Sequence, residues 1–354
     1  MKRAGAETMI MQYLRQLIKN PLFEFSILVH GDEKGDYDDE IQSMGVPIYH
    51  VPVRGKHPFT YRRSVAEVLS SHPVDIIHCN MDNSSGYFLG IAKQCGIQIR
   101  IAHSHTTKIL AKNPIKKLIG KISKWQIHNV ATHRLACSKK AGDWLFGKDA
   151  YQIVNNAINL EQYRFNPEIR NKIRDELNIA TDTLAVCHIG SFTYPKNHEG
   201  LLRIFNALKE VRANSKLLLA GVGPLMDHIQ DQVVHLNLEH DVIFLGLCKD
   251  IPALLQAADV YVMPSRMEGL PVSGIEAQAS GIPCFFADTI TPEICMTKMA
   301  KRLPLRDINA WQYELSKVNF VRKERDARIS LTHSGYNIEI EGSKLSDFYA
   351  RLIK

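Results

Sequence analysis

Two glutamates, Glu268 and Glu276, stand eight positions apart in the stretch PSRMEGLPVSGIEAQASGIP (264–283), which is otherwise mostly small and apolar. The strand-like run ADVYVM precedes Pro264, and Gly281-Ile282-Pro283 closes a helix-like run. The pattern predicts strand, loop and helix, with Glu268 in the loop and Glu276 in the helix. Cleavage of a glycosidic bond by a carboxylate pair is the first chemistry to weigh. Eight helical residues rise about 12 Å, whereas a retaining pair needs roughly 5–5.5 Å. The two acids therefore meet different parts of an extended ligand. Between them, Gly269, Leu270, Pro271, Val272, Ser273 and Gly274 offer backbone amides at a helix N-terminus, a cradle for an anion. A phosphate in the middle with a hydroxyl-bearing group at each end describes a nucleotide-sugar.

The elements that must position these residues are legible as alternation. β-rich runs at FSILVH (25–30), PIYHVPV (47–53), DIIHCN (75–80), IRIAHS (99–104), HRLACS (133–138) and QIVNNA (152–157) alternate with helix-length segments. A second series follows at 183–190, 215–221, 241–246, 259–264 and 282–288. Apolar strands alternating with amphipathic helices imply parallel sheets covered on both faces. The polar connector 159–179 separates the series, so we expect an N-terminal domain at 1–158, a C-terminal nucleotide-sugar domain at 159–335, and a terminal helix at 336–354 returning to the first. Such sheets bind ligands beyond their strand C-termini. The run AGAETMIMQYLRQL reads as a helix that follows a glycine-containing loop, and the central first strand expected before it is missing.

Composition narrows the class. The chain has 354 residues, 45% hydrophobic and 23% charged, as expected of a globular protein of two domains. Its seven cysteines are scattered without metal-ligand spacing, which fits reduced thiols in a cytoplasmic protein. Asp36-Tyr37-Asp38 matches a metal-binding D-x-D formally, but it reads as a solvated loop and helix start, and no metal site is assigned. Net charge is +7 and unevenly placed, with no acidic residue between Asp82 and Asp143. That interval holds Lys93, Arg100, Lys108, Lys112, Lys116, Lys117, Lys121, Lys124, Arg134, Lys139 and Lys140. Within it, Ile115, Leu118, Ile119, Ile122 and Trp125 recur at helical spacing, with Lys116, Lys117, Lys121 and Lys124 on other faces. This is the pattern of an interfacial helix on an anionic membrane, although an ordinary helix packs the same stripe on its own domain. No helix-turn-helix or RNA-binding signature accompanies the charge, so no nucleic-acid partner is expected.

The segment around the two glutamates resembles the E-x7-E motif of the family-4 retaining glycosyltransferases, and the likeness extends over nearly the whole chain. It includes AGAET (4–8), IAHSHTT (101–107), LACSKKAGDWLFG (135–147), IGSFTYPKNHEG (189–200), LAGVGP (219–224) and LGLCKDIPALLQAADVYVMPS (245–265). The combination is similar to the subgroup of capsular and exopolysaccharide biosynthesis. The resemblance implies the GT-B fold, an α/β architecture of two Rossmann-like doubly wound domains facing across a cleft. It also implies transfer of a sugar from a nucleotide-diphosphate donor, a UDP-sugar being expected, to a lipid-linked polysaccharide intermediate. The protein would work at the cytoplasmic face of the inner membrane, without a cofactor.

Roles follow residue by residue. Glu268 would accept hydrogen bonds from sugar hydroxyls, and Glu276 would hold the ribose cis-diol with its two oxygens. The amides from Gly269 to Ser273 and Lys196 would hold the diphosphate, and Gly5 would let backbone approach it. His103 or His105 would contact the sugar at the reacting face, and the sequence leaves open which. Three features depart from the family's pattern: Ser191 stands where an arginine is usual, Asn156-Ala157 replaces Asn-Gly, and the chain begins at what would be the loop after the first strand. Ser191 removes one cation from the diphosphate site and keeps a non-catalytic nucleotide-sugar-binding protein as an alternative, beside a sugar-nucleotide epimerase.

Overall fold

The computed structural model describes residues 5–55, 58–107 and 113–353; Lys108, Lys112 and everything before Gly5 lie outside that set. The apolar runs become strands of parallel sheets, and those at the centre of the second unit are buried on both faces. The chain divides into two compact units, Met1–Ile158 with Gly335–Lys354, and Asn159–Ser334.

The first unit contains β1 (Ile27–His30), β2 (Ile48–Val51), β3 (Ile76–Cys79), β4 (Ile99–Ser104), β5 (His133–Ala136) and β6 (Gln152–Ile153). They form two sheets: β1 pairs with β2, while β3, β4, β5 and β6 pair in that order, all in parallel. The helix Gly5–Leu17 presents Met9, Tyr13 and Leu17 to a core that also takes Ile338, Leu345 and Phe348 from the last helix, Ile338–Leu352. A parallel bridge between Ile158 and Asn337 ties that return into the unit. At the polar D-x-D, the Asp38 carboxylate accepts from the Gly35 amide at the start of the helix Asp38–Ser43.

The second unit contains β7 (Leu184–Ile189), β8 (Ser215–Ala220), β9 (Val242–Gly246), β10 (Val260–Met263), β11 (Cys284–Ala287) and β12 (Ala300–Leu303). Its single sheet has the order β12-β11-β10-β7-β8-β9. The edge strand β12, sequence AKRL, escapes sequence reading because an edge strand needs no continuous apolar run. Within the polar connector, the helix Pro167–Glu176 buries Arg170 and Arg174 against Asp259 at the foot of β10, at 2.6 Å and 3.2 Å. The Asp259 carboxylate also accepts from the Ala185 amide of β7. A buried pair of guanidiniums is tolerated there because one carboxylate and several carbonyls satisfy it.

Candidate functional site

In the second unit, β7 and β10 are hydrogen-bonded neighbours, yet the chain leaves β7 toward β8 and β10 toward β11. The strand order reverses between them, and the space beyond their C-terminal ends is where doubly wound sheets hold ligands. Gly190 and Ser191 follow β7, and the loop from Pro264 to Pro271 follows β10.

The loop leads into the helix Val272–Ala279, whose N-cap is Pro271 and carries no side-chain capping bond. The first amides of a helix have no intrahelical partner, so the amides of Val272 and Ser273 face outward with the positive end of the helix dipole. The Ser273 hydroxyl accepts from Tyr261 at 3.0 Å and reaches the Ile189 carbonyl, which fastens the helix start to β7. One helical turn on, Glu276 accepts from the Tyr163 hydroxyl at 2.9 Å. Desolvation raises the Glu276 carboxyl above its usual range, and the Tyr163 bond opposes that rise.

Lys196 and Glu268 meet at 2.6 Å, both largely shielded from solvent. The Lys196 side chain lies across Gly190, where a Cβ would come within 3.1 Å of it. Asn197 holds this loop in place: it sits at φ 59°, caps the helix His198–Val211 through Gly200, and donates to the Pro264 carbonyl at 2.8 Å. On the other side Gly221, at φ +144°, approaches so closely that a Cβ there would fall 2.1 Å from the Gly190 carbonyl oxygen. The structure thus brings Ser191, Lys196, Glu268, Gly269, Leu270, Pro271, Val272, Ser273 and Glu276 to one end of the β7–β10 pair. Ser191 is exposed, its hydroxyl 3.3 Å from that of Thr193.

Gly5, His103 and His105 belong to the first unit. Gly5 begins its first helix. His103 is fully buried on β4, with Nδ1 2.9 Å from His78 Nε2, and its own Nε2 has no partner. His78 Nδ1 in turn meets the Tyr349 hydroxyl at 2.5 Å. His105 stacks on His103 at 4.2 Å and retains solvent access, with Nε2 2.9 Å from Asn80 Oδ1. The backbone amides of His105 and Thr106 both donate to Asp82. Burial lowers all three histidines, His78 to about 3 and His105 to about 4, so each is neutral at pH 7. Of the two candidates, His105 is the one a ligand can reach.

The helix Pro114–Val130 packs on the first unit through Gly120, Ser123 and Ile127. Its large apolar residues Ile115, Leu118, Ile119, Ile122 and Trp125 are instead 42% to 68% exposed. Lys116, Lys117 and Lys121 are exposed beside them. Lys124 is a correction to the lipid-facing set. Its ammonium donates to the Trp144 carbonyl and lies 4.8 Å from that indole, so it is committed to its own domain.

Sequence reading did not find Tyr163, Asn80, Asp82 or Tyr349. Tyr163 is 113 positions from the glutamate it serves, and no local pattern links them. Asn197 carried a usable signal, since an asparagine directly before a helical pattern favours both the cap and a left-handed backbone.

A parallel doubly wound sheet with an uncapped helix N-terminus, a lysine and two carboxylates at its switch point fits the second domain of the GT-B class. The comparisons agree and name the family. The model "Glycosyltransferase Family 4" matches residues 3–162, and "Glycosyl transferases group 1" matches 169–295. The putative glycosyltransferase EpsF of Bacillus subtilis (strain 168) is 32% identical over 361 residues, covering 99% of this chain and 94% of that protein. This chain belongs to the family-4 glycosyltransferases and has the GT-B fold. The UDP-Gal:alpha-D-GlcNAc-diphosphoundecaprenol alpha-1,3-galactosyltransferase of Escherichia coli is 25% identical, over 96% of this chain and 92% of that one. Among solved structures, Anabaena HepE in complex with UDP shares the fold with a TM-score of 0.80 at 16% identity, over 99% of this chain and 97% of its own; HepE has also been solved with UDP-glucose.

Proposed function

We propose that the protein is a retaining glycosyltransferase that moves a sugar from a UDP-sugar to a hydroxyl of a lipid-linked polysaccharide intermediate. The observation that carries this reading is the Lys196–Glu268 pair beside the uncapped helix that bears Glu276. The diphosphate lies over the amides of Val272 and Ser273, and Lys196 exchanges its carboxylate partner for phosphate oxygens as a point charge. Glu268, released from Lys196, accepts from the sugar hydroxyls, and Glu276 takes the ribose diol. The helix dipole stabilises charge on the departing nucleotide. The acceptor attacks from the face the diphosphate leaves, and a phosphate oxygen takes its proton. Lys196 and the helix amides supply the positive charge, and the reading assigns no metal ion. UDP as the nucleotide is supported by the ligands of HepE, and the lipid-linked acceptor by the name of the galactosyltransferase relative.

The exposed apolar stripe of the helix Pro114–Val130, with lysines beside it, supports work at an anionic membrane surface. Each lysine near such a surface contributes about 1 kcal/mol. No helix among the described residues is long and apolar enough to cross a membrane. Sedimentation with anionic vesicles should show salt-sensitive binding that falls when Lys116, Lys117 and Lys121 become glutamate. Unchanged binding in that variant would remove the membrane from the reading.

The reaction is tested by incubation with a panel of nucleotide-sugars. Selective release of UDP, an α-linked product from an α-linked donor, and activity that survives chelation would support each part of the proposal. Ser191 favours one second reading, a protein that binds nucleotide-sugars without turnover. Tight UDP binding with no hydrolysis or transfer for any donor and acceptor would favour it.

A further inference from the structure

Glu276 stands on the helix Val272–Ala279 beside the buried residues Ile275, Ala277, Gln278 and Ala279. A carboxylate withdrawn from water needs donors in place of the water it loses. Among the described residues one hydrogen bond reaches its side chain, from the Tyr163 hydroxyl to Oε1 at 2.9 Å. Tyr163 comes from a different segment, the end of the short 3-10 turn Leu160–Tyr163 at the start of the second unit. That turn is itself fixed, because the Asn159 side chain accepts from the Glu161 amide. The Tyr163 ring is 2% exposed, whereas Glu276 is only half-buried. The tyrosine therefore closes one side of the carboxylate and leaves the other side open. Burial and then the Glu276 charge push the Tyr163 hydroxyl well above the usual tyrosine range, so it keeps its proton and donates.

We propose that Tyr163 is a positioning residue for nucleotide recognition: its hydroxyl fixes the Glu276 carboxylate so that the remaining lone pairs meet both ribose hydroxyls. The inference rests on the reading of Glu276 as the acid that takes the ribose diol. A carboxylate offers about four lone-pair sites; Tyr163 occupies one on Oε1, and Oε2 stays free. The bond acts in two ways. It orders a side chain of three torsions before the ligand arrives, and preorganisation of this kind lowers the cost of binding. It also supplies the carboxylate with a donor that remains when a nucleotide displaces water. Selectivity for ribose follows, since an acceptor built for a hydroxyl is left unpaired by a ligand that lacks one. With phenylalanine at 163 the carboxylate is free to rotate or to take up a proton, and a protonated acid has lost an acceptor.

Calorimetry with UDP and with its dideoxyribose analogue, which lacks both ribose hydroxyls, tests this without any sugar transfer. Y163F keeps the packed ring and removes one oxygen. It should bind UDP roughly tenfold more weakly, the low end of what a hydrogen bond to a charged group contributes. Its affinity for the analogue should stay within about twofold of wild type. E276A should lose the preference for UDP over the analogue, and Y163F combined with E276A should bind UDP no more weakly than E276A alone. Para-aminophenylalanine at position 163 keeps both ring and donor, covers the case in which Y163F does not fold, and should retain the preference. Equal losses for the two nucleotides in Y163F, a double variant weaker than E276A, or no preference with para-aminophenylalanine would reduce Tyr163 to packing and overturn the inference alone. Wild-type UDP binding by Y163F beside an E276A that has lost the preference would do the same. An E276A that weakens both nucleotides alike would overturn the ribose reading and the inference together.

Discussion

The two units are built from the same alternation of strand and helix, yet they close differently. In the second, β7 and β10 pair at the switch point, six strands form one sheet, and a buried cluster that includes Leu184, Phe205, Val260 and Trp311 packs against it. In the first, the strands divide into a pair and a group of four, and the buried residues fall into separate clusters around Tyr61, Tyr13 and Ile41. Lys196, Glu268 and Glu276 stand at the end of the continuous sheet, where β7, β10 and the helix Val272–Ala279 hold one another. A site needs its supporting residues locked by packing and hydrogen bonds, and a paired switch point supplies both. In the first unit the corresponding place is a cavity, and the histidine cluster is held by side chains, namely His78, Asn80, Asp82 and Tyr349.

The largest effect should come from removing the brace of the second unit. Asp259→Ala leaves Arg170 and Arg174 buried without their carboxylate, which costs about 3–5 kcal/mol. Urea unfolding followed by hydrogen exchange should show the loss at β7 and β8 and spare β3 and β4. Equal loss in both units would mean that they unfold as one.

Acid should act more strongly on the first unit. A histidine whose folded pKa lies below its unfolded value of about 6.5 takes up its proton more readily when unfolded, so stability is lost as pH falls below about 6.5. His78, His103 and His105 all act in this sense, so the first unit should lose stability steadily between pH 7 and pH 4. The second unit carries His188 and His198 in the same sense. Glu276 opposes them: its raised pKa means that folding binds a proton, so stability falls as pH rises above about 4.5. Exchange profiles at pH 7 and pH 4 should show the first unit losing more protection, and the comparison breaks if the second loses more.

Within the second unit, Glu276→Gln should stabilise the free protein by about 0.5–1 kcal/mol by removing a desolvated charge, while weakening UDP by about 1.5–3 kcal/mol. Glu268→Ala should leave UDP binding close to wild type and lower transfer. Calorimetry with UDP alone separates the two, and equal losses would end the division of labour between them. The smallest effect is expected from Ser191→Arg, where a guanidinium can fork onto phosphate. UDP binding should tighten by about 1 kcal/mol, and a loss would show a site rearranged around serine.

The sequence by itself determined the strand series, the strand–loop–helix around Glu268 and Glu276, and the family. These rest on local periodicity and on short motifs, which physics ties to neighbouring residues. It could also propose the apolar stripe from Ile115 to Trp125, because spacing along a helix reveals that a stripe exists. Which way the stripe faces was decided only in three dimensions: Gly86 and Ser123 bring the backbones of two helices so close that the small-residue face packs inward and the large residues stay outside. Lys124 turned to Trp144, Tyr163 reached Glu276, and His103 sank beneath His105 for the same reason. Each is a contact between residues far apart in the chain, set by how elements stack, and no pattern within one element encodes it.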